Sequence, residues 1–315
     1  MLNRRHLRIK ILQILYAFGQ SSGQTLANAE KELMHNIRKM YEMYIYLMLI
    51  MTEIREVAER KIEDNKKKRL PTEEDLNPNM RFAENKLIAQ LAENKALAAL
   101  SEKHKVSWMG KGELLRGFFK KLTETEEYRA YMSADENNYE ADKEVVVRLF
   151  KRHLINFPDL HEFFEEGSIY WTDDLDLVAS MTLKTLKSFT ENSDEHHELL
   201  PLWKDPEDEM PFVKSLFRKT ITYGEEHEAL IKKHAENWEL DRIAVMDVIL
   251  MKMALTEARE FPQIPVKVTL NEYIEIAKYY STPKSSNFIN GVLDKVFAEM
   301  QETGTIKKLG RGLIS

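Results

Sequence analysis

The chain contains no cysteine. Neither a disulfide framework nor a cysteine-ligated zinc site can exist in it, and a reducing compartment fits that composition. Glycine and proline are scarce, 11 and 9 among 315 residues. Long intervals lack both, which predicts a mostly helical, all-α protein. Long apolar runs are also missing: Ile45 to Met51 falls far short of the roughly 20 residues that span a bilayer. No phosphate-cradling glycine loop is present, since Gly110-Lys111-Gly112 has neither the P-loop nor the dinucleotide spacing. His161-Glu162 and His227-Glu228 lack the second histidine that a zincin site requires. No catalytic residue, cofactor or metal is therefore expected, and no enzyme is supported.

What is present is a core-forming composition, 43% hydrophobic and 31% charged, in a chain long enough for one large or two ordinary domains. The formal net charge of −6 argues against general affinity for nucleic acid. That average hides a local asymmetry. Arg4, Arg5, Arg8 and Lys10, with His6, precede the first acid, Glu30. At helical spacing Arg4 and Arg8 share one face, while Leu7, Ile11, Ile14 or Leu15, and Phe18 share another. Lys10 and Gln13 interrupt the apolar run and no small-residue cleavage site follows, so a signal peptide is not expected. Cations at a helix N-terminus oppose the macrodipole; placing them there points to an anionic partner. Four cations on single-stranded phosphates would give a salt slope of at most about −3. Tyr16 offers a ring on which a base could stack, and Gln13 lies on the way to it.

The other informative stretch is Leu240 to Met300. A helix from about Asp241 carries Ile243, Met246, Ile249 or Leu250, Met253 and Ala254 at core spacing. A second, Val266 to Tyr280, follows Pro265 and turns Val268, Ile274 or Tyr273, and Ala277 inward. Ser281 or Thr282 can cap a third that Pro283 opens, with Phe288, Ile289, Val292, Leu293, Val296 and Phe297 inward. Gly291 inside that helix calls for a reason, and close approach of another helix is the simplest.

Between these ends, residues 25 to 68 read as one long helix whose Leu33, Ile37, Met40 or Tyr41, Tyr44, Leu47 or Met48, and Met51 form a core stripe. Lys66-Lys67-Lys68-Arg69 suits its C-terminus. Leu70 to Asn79 reads as a linker, and further helices are expected at 81–101, 112–132, 139–156 and 173–191. Glu191 to Glu209 reads as a solvated acidic loop; its His196-His197-Glu198 is a weak metal motif. Leu149-Phe150-Lys151-Arg152, Trp171 and Asp174 are echoed at constant offset by Leu216-Phe217-Arg218-Lys219, Trp238 and Asp241, by chance or as a degenerate repeat. The tail after Gly304, with Lys307, Lys308 and Arg311, reads as a frayed terminus.

The two ends together resemble a known family. Arg4-Arg5-His6-Leu7-Arg8 with Gln13-Ile14-Leu15-Tyr16 resembles the first helix of the NusB transcription antitermination family. The C-terminal block resembles its other hallmark, in Asp247 to Glu257, Ile264 to Glu272, Ala277-Lys278 and Phe288-Ile289-Asn290-Gly291-Val292-Leu293-Asp294. The likeness implies NusB-like helical bundles built from residues 1–20 and 206–302, a helical insertion at 21–205 and a basic tail at 303–315. It implies binding of boxA-type single-stranded RNA from ribosomal RNA operons, jointly with the small-subunit ribosomal protein NusE. A cytoplasmic transcription complex is the implied setting, with no membrane. Arg4, Arg5, His6, Arg8, Gln13, Tyr16 and Asp247 carry over as RNA-binding positions, and Lys284, Asn287 and Phe288 as partner-binding ones. Asp247 reads equally as a helix-surface acid and Phe288 equally as core. Lys284 stands where relatives carry an acid. Fusions of a similar domain to an RNA cytosine methyltransferase need a catalytic cysteine, which this chain lacks. A ribosome-assembly module or a helical scaffold without RNA binding are the alternatives.

Overall fold

The computed structural model describes residues 2–21, 23–135, 138–235 and 243–313, and among them the secondary structure is helical with no strand. The α-helices in chain order are α1 (Arg4–Gln20), α2 (Leu26–Lys66), α3 (Glu73–Leu76), α4 (Lys86–Glu93), α5 (Lys95–His104), α6 (Gly112–Thr123), α7 (Glu126–Ser133) and α8 (Tyr139–Arg152). They continue as α9 (Pro158–Gly167), α10 (Leu175–Ser188), α11 (Pro206–Thr222), α12 (Gly224–His234), α13 (Val245–Glu260), α14 (Val266–Tyr280) and α15 (Ser285–Glu302). The fold is all-α. None of these helices is long and apolar enough to cross a membrane. The chain divides into two compact units, one of Met1–Ile37 with Trp203–Ser315, the other of Arg38–Leu202.

The first unit is built around α13. Leu250, Met251, Met253, Ala254, Leu255 and Ala258 are all buried, as expected of a helix apolar on nearly every side. It packs against α1, α11, α12, α14 and α15. The helix start expected near Asp241 lies outside the described residues. On α14 the buried positions are Thr269, Tyr273, Ile276 and Ala277. Val268, expected to point inward, is exposed, because the inward stripe runs through Thr269 and Tyr273, four residues apart. On α15, Ile289, Val292, Leu293, Val296 and Phe297 are buried as expected. The helix begins at Ser285, so Pro283 precedes its first turn rather than opening it. Among the described residues no atom beyond the surrounding helix backbone lies within 4 Å of a Cβ built on Gly291, so the close helix approach expected there is not found.

The tail corrects its expectation as well. Ile306 is buried and its N–H donates to Met300 O, while Leu309 N–H donates to Pro262 O at 3.0 Å. Gly312 is buried so closely that a Cβ there would fall 1.9 Å from Pro262 O. Through residue 313, then, the tail is docked on the loop between α13 and α14.

One buried group in this unit titrates in a useful range. His227 of α12 is fully buried, and its Nε2 has no hydrogen-bond partner among the described residues. Burial lowers its pKa from 6.5 to about 4. The unfolded chain therefore binds a proton between those values that the folded chain does not. His227 should contribute stability that is full above pH 6.5 and lost as the pH falls towards 4. Thermal melting across that range should show a shallower decline for His227→Asn than for the wild type; parallel declines would contradict the assignment.

The second unit packs α3 to α10 with the greater part of α2. The Met/Tyr stripe is core: Tyr41, Tyr44, Leu47, Met48 and Met51 are buried. Two indoles fasten other segments to α2, Trp108 Nε1 donating to Tyr46 O at 3.1 Å and Trp171 Nε1 to Lys39 O at 2.6 Å. The Tyr46 ring meets Trp108, Phe163, Phe164 and Trp171 edge-on, the arrangement that ring quadrupoles favour.

Local capping explains most boundary differences. The helix expected at 81–101 is two, because the Asn94 side chain accepts from Leu97 N–H and starts α5 afresh. Thr125 does the same for α7 within 112–132. Pro158 opens α9, which lies between two expected helices and was missed. Thr72 and Asp75 form a capping box around α3 inside the expected linker. The acidic stretch is not merely solvated. Gln90 Nε2 donates to Thr190 O and Ser193 O, Asn94 Nδ2 donates to His197 O, and the His197 ring lies on Phe189. Both halves of the internal echo bury their Leu-Phe pair, in α8 and α11. Its Trp238 and Asp241 lie outside the described residues.

Candidate nucleic-acid interface

Helix α1 begins in a capping box. The Asn3 side chain accepts from His6 N–H at 3.0 Å, and Asn3 N–H donates to His6 Nδ1 at 3.3 Å. Burial, and then the Arg5 charge, lower the His6 pKa from 6.5; with Nδ1 accepting, Nε2 is left as a donor. Leu7, Arg8, Lys10, Ile11, Leu12, Ile14 and Leu15 are buried. Arg5, Ile9, Gln13 and Tyr16 are at least partly exposed, and their spacing places them on one stripe, with His6 beside it. Asn36 of α2 donates to Gln13 Oε1 at 3.4 Å.

The cations at the helix start are balanced by acids brought from other helices, in two different ways. Arg8 is buried: its Nε and Nη2 meet Glu257 of α13 at 2.6 and 2.7 Å. Glu257 also accepts from Thr269 Oγ1 at 2.9 Å and Tyr273 OH at 3.1 Å. Arg8 stays charged because Glu257's hydrogen bonds and charge outweigh burial, which pulls the other way. Burial, then Glu257, raise the Tyr273 pKa well above its ordinary value. The expectation that Arg8 shares an outer face with Arg4 is therefore corrected; Arg8 holds α1 against α13 and α14. Arg4 instead pairs with Asp208 at 2.7 Å and stacks on Phe212, and Arg5 makes a two-point pair with Glu272 at 2.7 and 2.9 Å. That pairing raises the Arg5 pKa and lowers that of Glu272.

Arg4, Arg5 and Arg8 line one wall of a cleft of about 570 Å³, faced by Gln263, Pro265 and Val268. Helix α14 starts there with no side-chain cap and no acid in its first turn, so its dipole adds partial positive charge to the cleft. At the far end of α1, Tyr16 borders a second cleft of about 490 Å³ that also takes in Lys232 and Lys252.

Asp247 is not a surface acid. It is buried, and its carboxylate accepts from Ser281 Oγ and from Ser285 Oγ, the latter at 2.7 Å. It thereby ties the start of α13 to the turn between α14 and α15. Lys284 in that turn and Asn287 in the first turn of α15 are exposed, and Phe288 is half-buried. The structure thus places Arg4, Arg5, His6, Gln13 and Tyr16 along one helix, and Lys284, Asn287 and Phe288 together elsewhere in the same unit. Sequence reading missed Glu257, Glu272 and Asp208. Arg8's own burial had one signal, its spacing of four and seven residues from Leu12 and Leu15.

Fold and cleft define an all-helical protein whose first helix sets an arginine-bearing stripe over a mixed-charge cleft. Comparison with known proteins agrees. The NusB family model matches residues 176–298. The transcription antitermination protein NusB of Salinibacter ruber is 44% identical over 142 residues, covering 44% of this chain and 89% of that protein. The protein of the same name from Chloroherpeton thalassium is 44% identical over 103 residues, 33% of this chain and 49% of that one. The one from Koribacter versatilis is 43% identical over 98 residues, 31% and 67%. The chain belongs to the NusB family. No solved structure matches it.

Proposed function

We propose that the chain is an RNA-binding transcription antitermination factor that acts by binding rather than catalysis. The observation that carries this is the stripe of Arg5, Gln13 and Tyr16 on α1, flanked by Arg4 and His6, in a chain that aligns with nearly all of a relative named for antitermination. Arg4 and Arg5 would take phosphates, His6 and Gln13 would hydrogen-bond bases, and Tyr16 would stack on one. Arg4 pairs with its acid at the surface, where an ion pair contributes ~0–1 kcal/mol, and Arg5, itself exposed, pairs with the partly exposed Glu272. Phosphate oxygens can therefore replace those acids. Arg8 is held too deeply to exchange.

On this reading the RNA is boxA-type and single-stranded, from ribosomal RNA operons, and the protein partner is the ribosomal protein NusE. NusE would meet Lys284, Asn287 and Phe288, with Asp247 positioning that surface rather than touching RNA. Residues 1–20 and 206–302 form the NusB-like core of the proposal, 21–205 its insertion, and the cytoplasm its compartment. The test is binding of a short boxA-type RNA, with and without NusE, beside a scrambled RNA. Sequence-selective binding that NusE strengthens is expected. Unselective binding would favour a ribosome-assembly module, and no binding a helical scaffold.

A further inference from the structure

The docked tail lies beside the arginine cleft. After Glu302 the chain carries Lys307, Lys308 and Arg311 and no acid. The tail is seated on the α13–α14 loop by Leu309 N–H on Pro262 O and by Lys308 Nζ on Phe261 O at 3.1 Å. The next residues of that loop, Gln263, Ile264 and Pro265, line the cleft that holds Arg4 and Arg5. Gly310 closes the same contact: a Cβ on it would fall 2.8 Å from Gln263 Oε1. The docked tail and the arginines of α1 therefore both border residues 261–265 of one short loop.

We propose that the docked tail is a second wall of the RNA-binding surface, with Lys307 taking a phosphate of the single strand held at Arg4 and Arg5 while Lys308 anchors the tail on Phe261 O. The inference rests on the RNA-binding reading above and extends its footprint to the opposite end of the chain. Lys307 is exposed, and no carboxylate among the described residues pairs with it. It can meet a phosphate without first giving up an acid, as Arg4 and Arg5 must. Lys308 is half-buried, and burial lowers its pKa from 10.5 to about 8, so it remains mostly cationic at neutral pH. Docking matters because a cation on an ordered backbone is already placed, whereas one on a frayed end would have to be ordered by the RNA at an entropic cost. A merely solvated lysine pair would need neither the buried Ile306 nor the close fit at Gly312.

The test compares the full-length wild type with Lys307→Ala, Lys307→Glu and Gly312→Val, using a short single-stranded boxA-type RNA across a salt series. Gly312→Val leaves every charge in place but cannot fit against Pro262 O. Lys307→Ala should bind about threefold more weakly with a slope shallower by about 0.7, the value for one lost contact to a single strand. Lys307→Glu should lose about tenfold, and Gly312→Val at least as much as Lys307→Ala. Unchanged affinity and slope in the Lys307 variants would overturn the inference while leaving wild-type binding, and so the first reading, intact. Loss in those variants with wild-type binding by Gly312→Val would show a free arm and overturn the docked wall. A wild type that fails to bind would overturn both readings.

Discussion

Glu257→Ala should destabilise the first unit by about 3–5 kcal/mol, the usual loss when one partner of a buried ion pair is removed. The side chains of Arg8 and Glu257 are 3% and 0% exposed, so water cannot replace the missing carboxylate. Glu272 remains near Arg8, but at 3.4 Å and from a partly exposed position. Thr269 and Tyr273 would also lose the acceptor of their hydroxyls, each an additional cost of roughly 1–3 kcal/mol if left unsatisfied. Against a typical domain stability of about 5–15 kcal/mol, such a loss is large. Urea unfolding, with hydrogen exchange assigning the transition to residues of this unit, measures it. A loss below about 1 kcal/mol would contradict the buried-pair account. Replacing both partners by apolar residues, as in Arg8→Met/Glu257→Leu, should recover much of the loss, because no charge is then left buried.

Arg4→Ala/Arg5→Ala should act on binding instead. Each arginine exchanges an at least partly exposed ion pair for a charge-assisted contact to phosphate, a net gain of about 1–1.5 kcal/mol. Losing both should weaken RNA binding about 30- to 160-fold and make the salt slope shallower by about 1.4. Stability should change little, since Arg4 and Asp208 have side chains 34% and 54% exposed and such pairs contribute little to folding. The measurement is a binding isotherm at several salt concentrations with a melting curve for each variant. An unchanged slope would remove α1 from the phosphate-binding surface. Arg8→Ala should give the opposite pattern, a strong loss of stability.

The helical class, the long second helix and the helices after Pro265 and Pro283 were legible because they rest on local physics. Periodicity, punctuation by proline and scarcity of glycine act within a few turns of chain. The two ends were recognisable for a different reason: their motifs keep a family's residues in order, a likeness that supplies a name but no contact. Capping by Asn94 and Thr125 was also written locally, and it was overlooked because apolar spacing continues across both breaks.

By itself the sequence determined that α1 would be a basic amphipathic helix and that α13 would lie deep in a core. It could not determine which arginine faces outward. Arg4, Arg5 and Arg8 are alike in sequence, and the acids that sort them are more than two hundred residues away. Only tertiary structure brought Glu257 into the core to bind Arg8, turned Asp247 inward onto two serines, and docked the tail beside the cleft. A charge's role depends on its depth and its partner, because buried ions require compensation while surface ions remain free to exchange. Depth and partner are properties of the packed helices, not of the chain read in order.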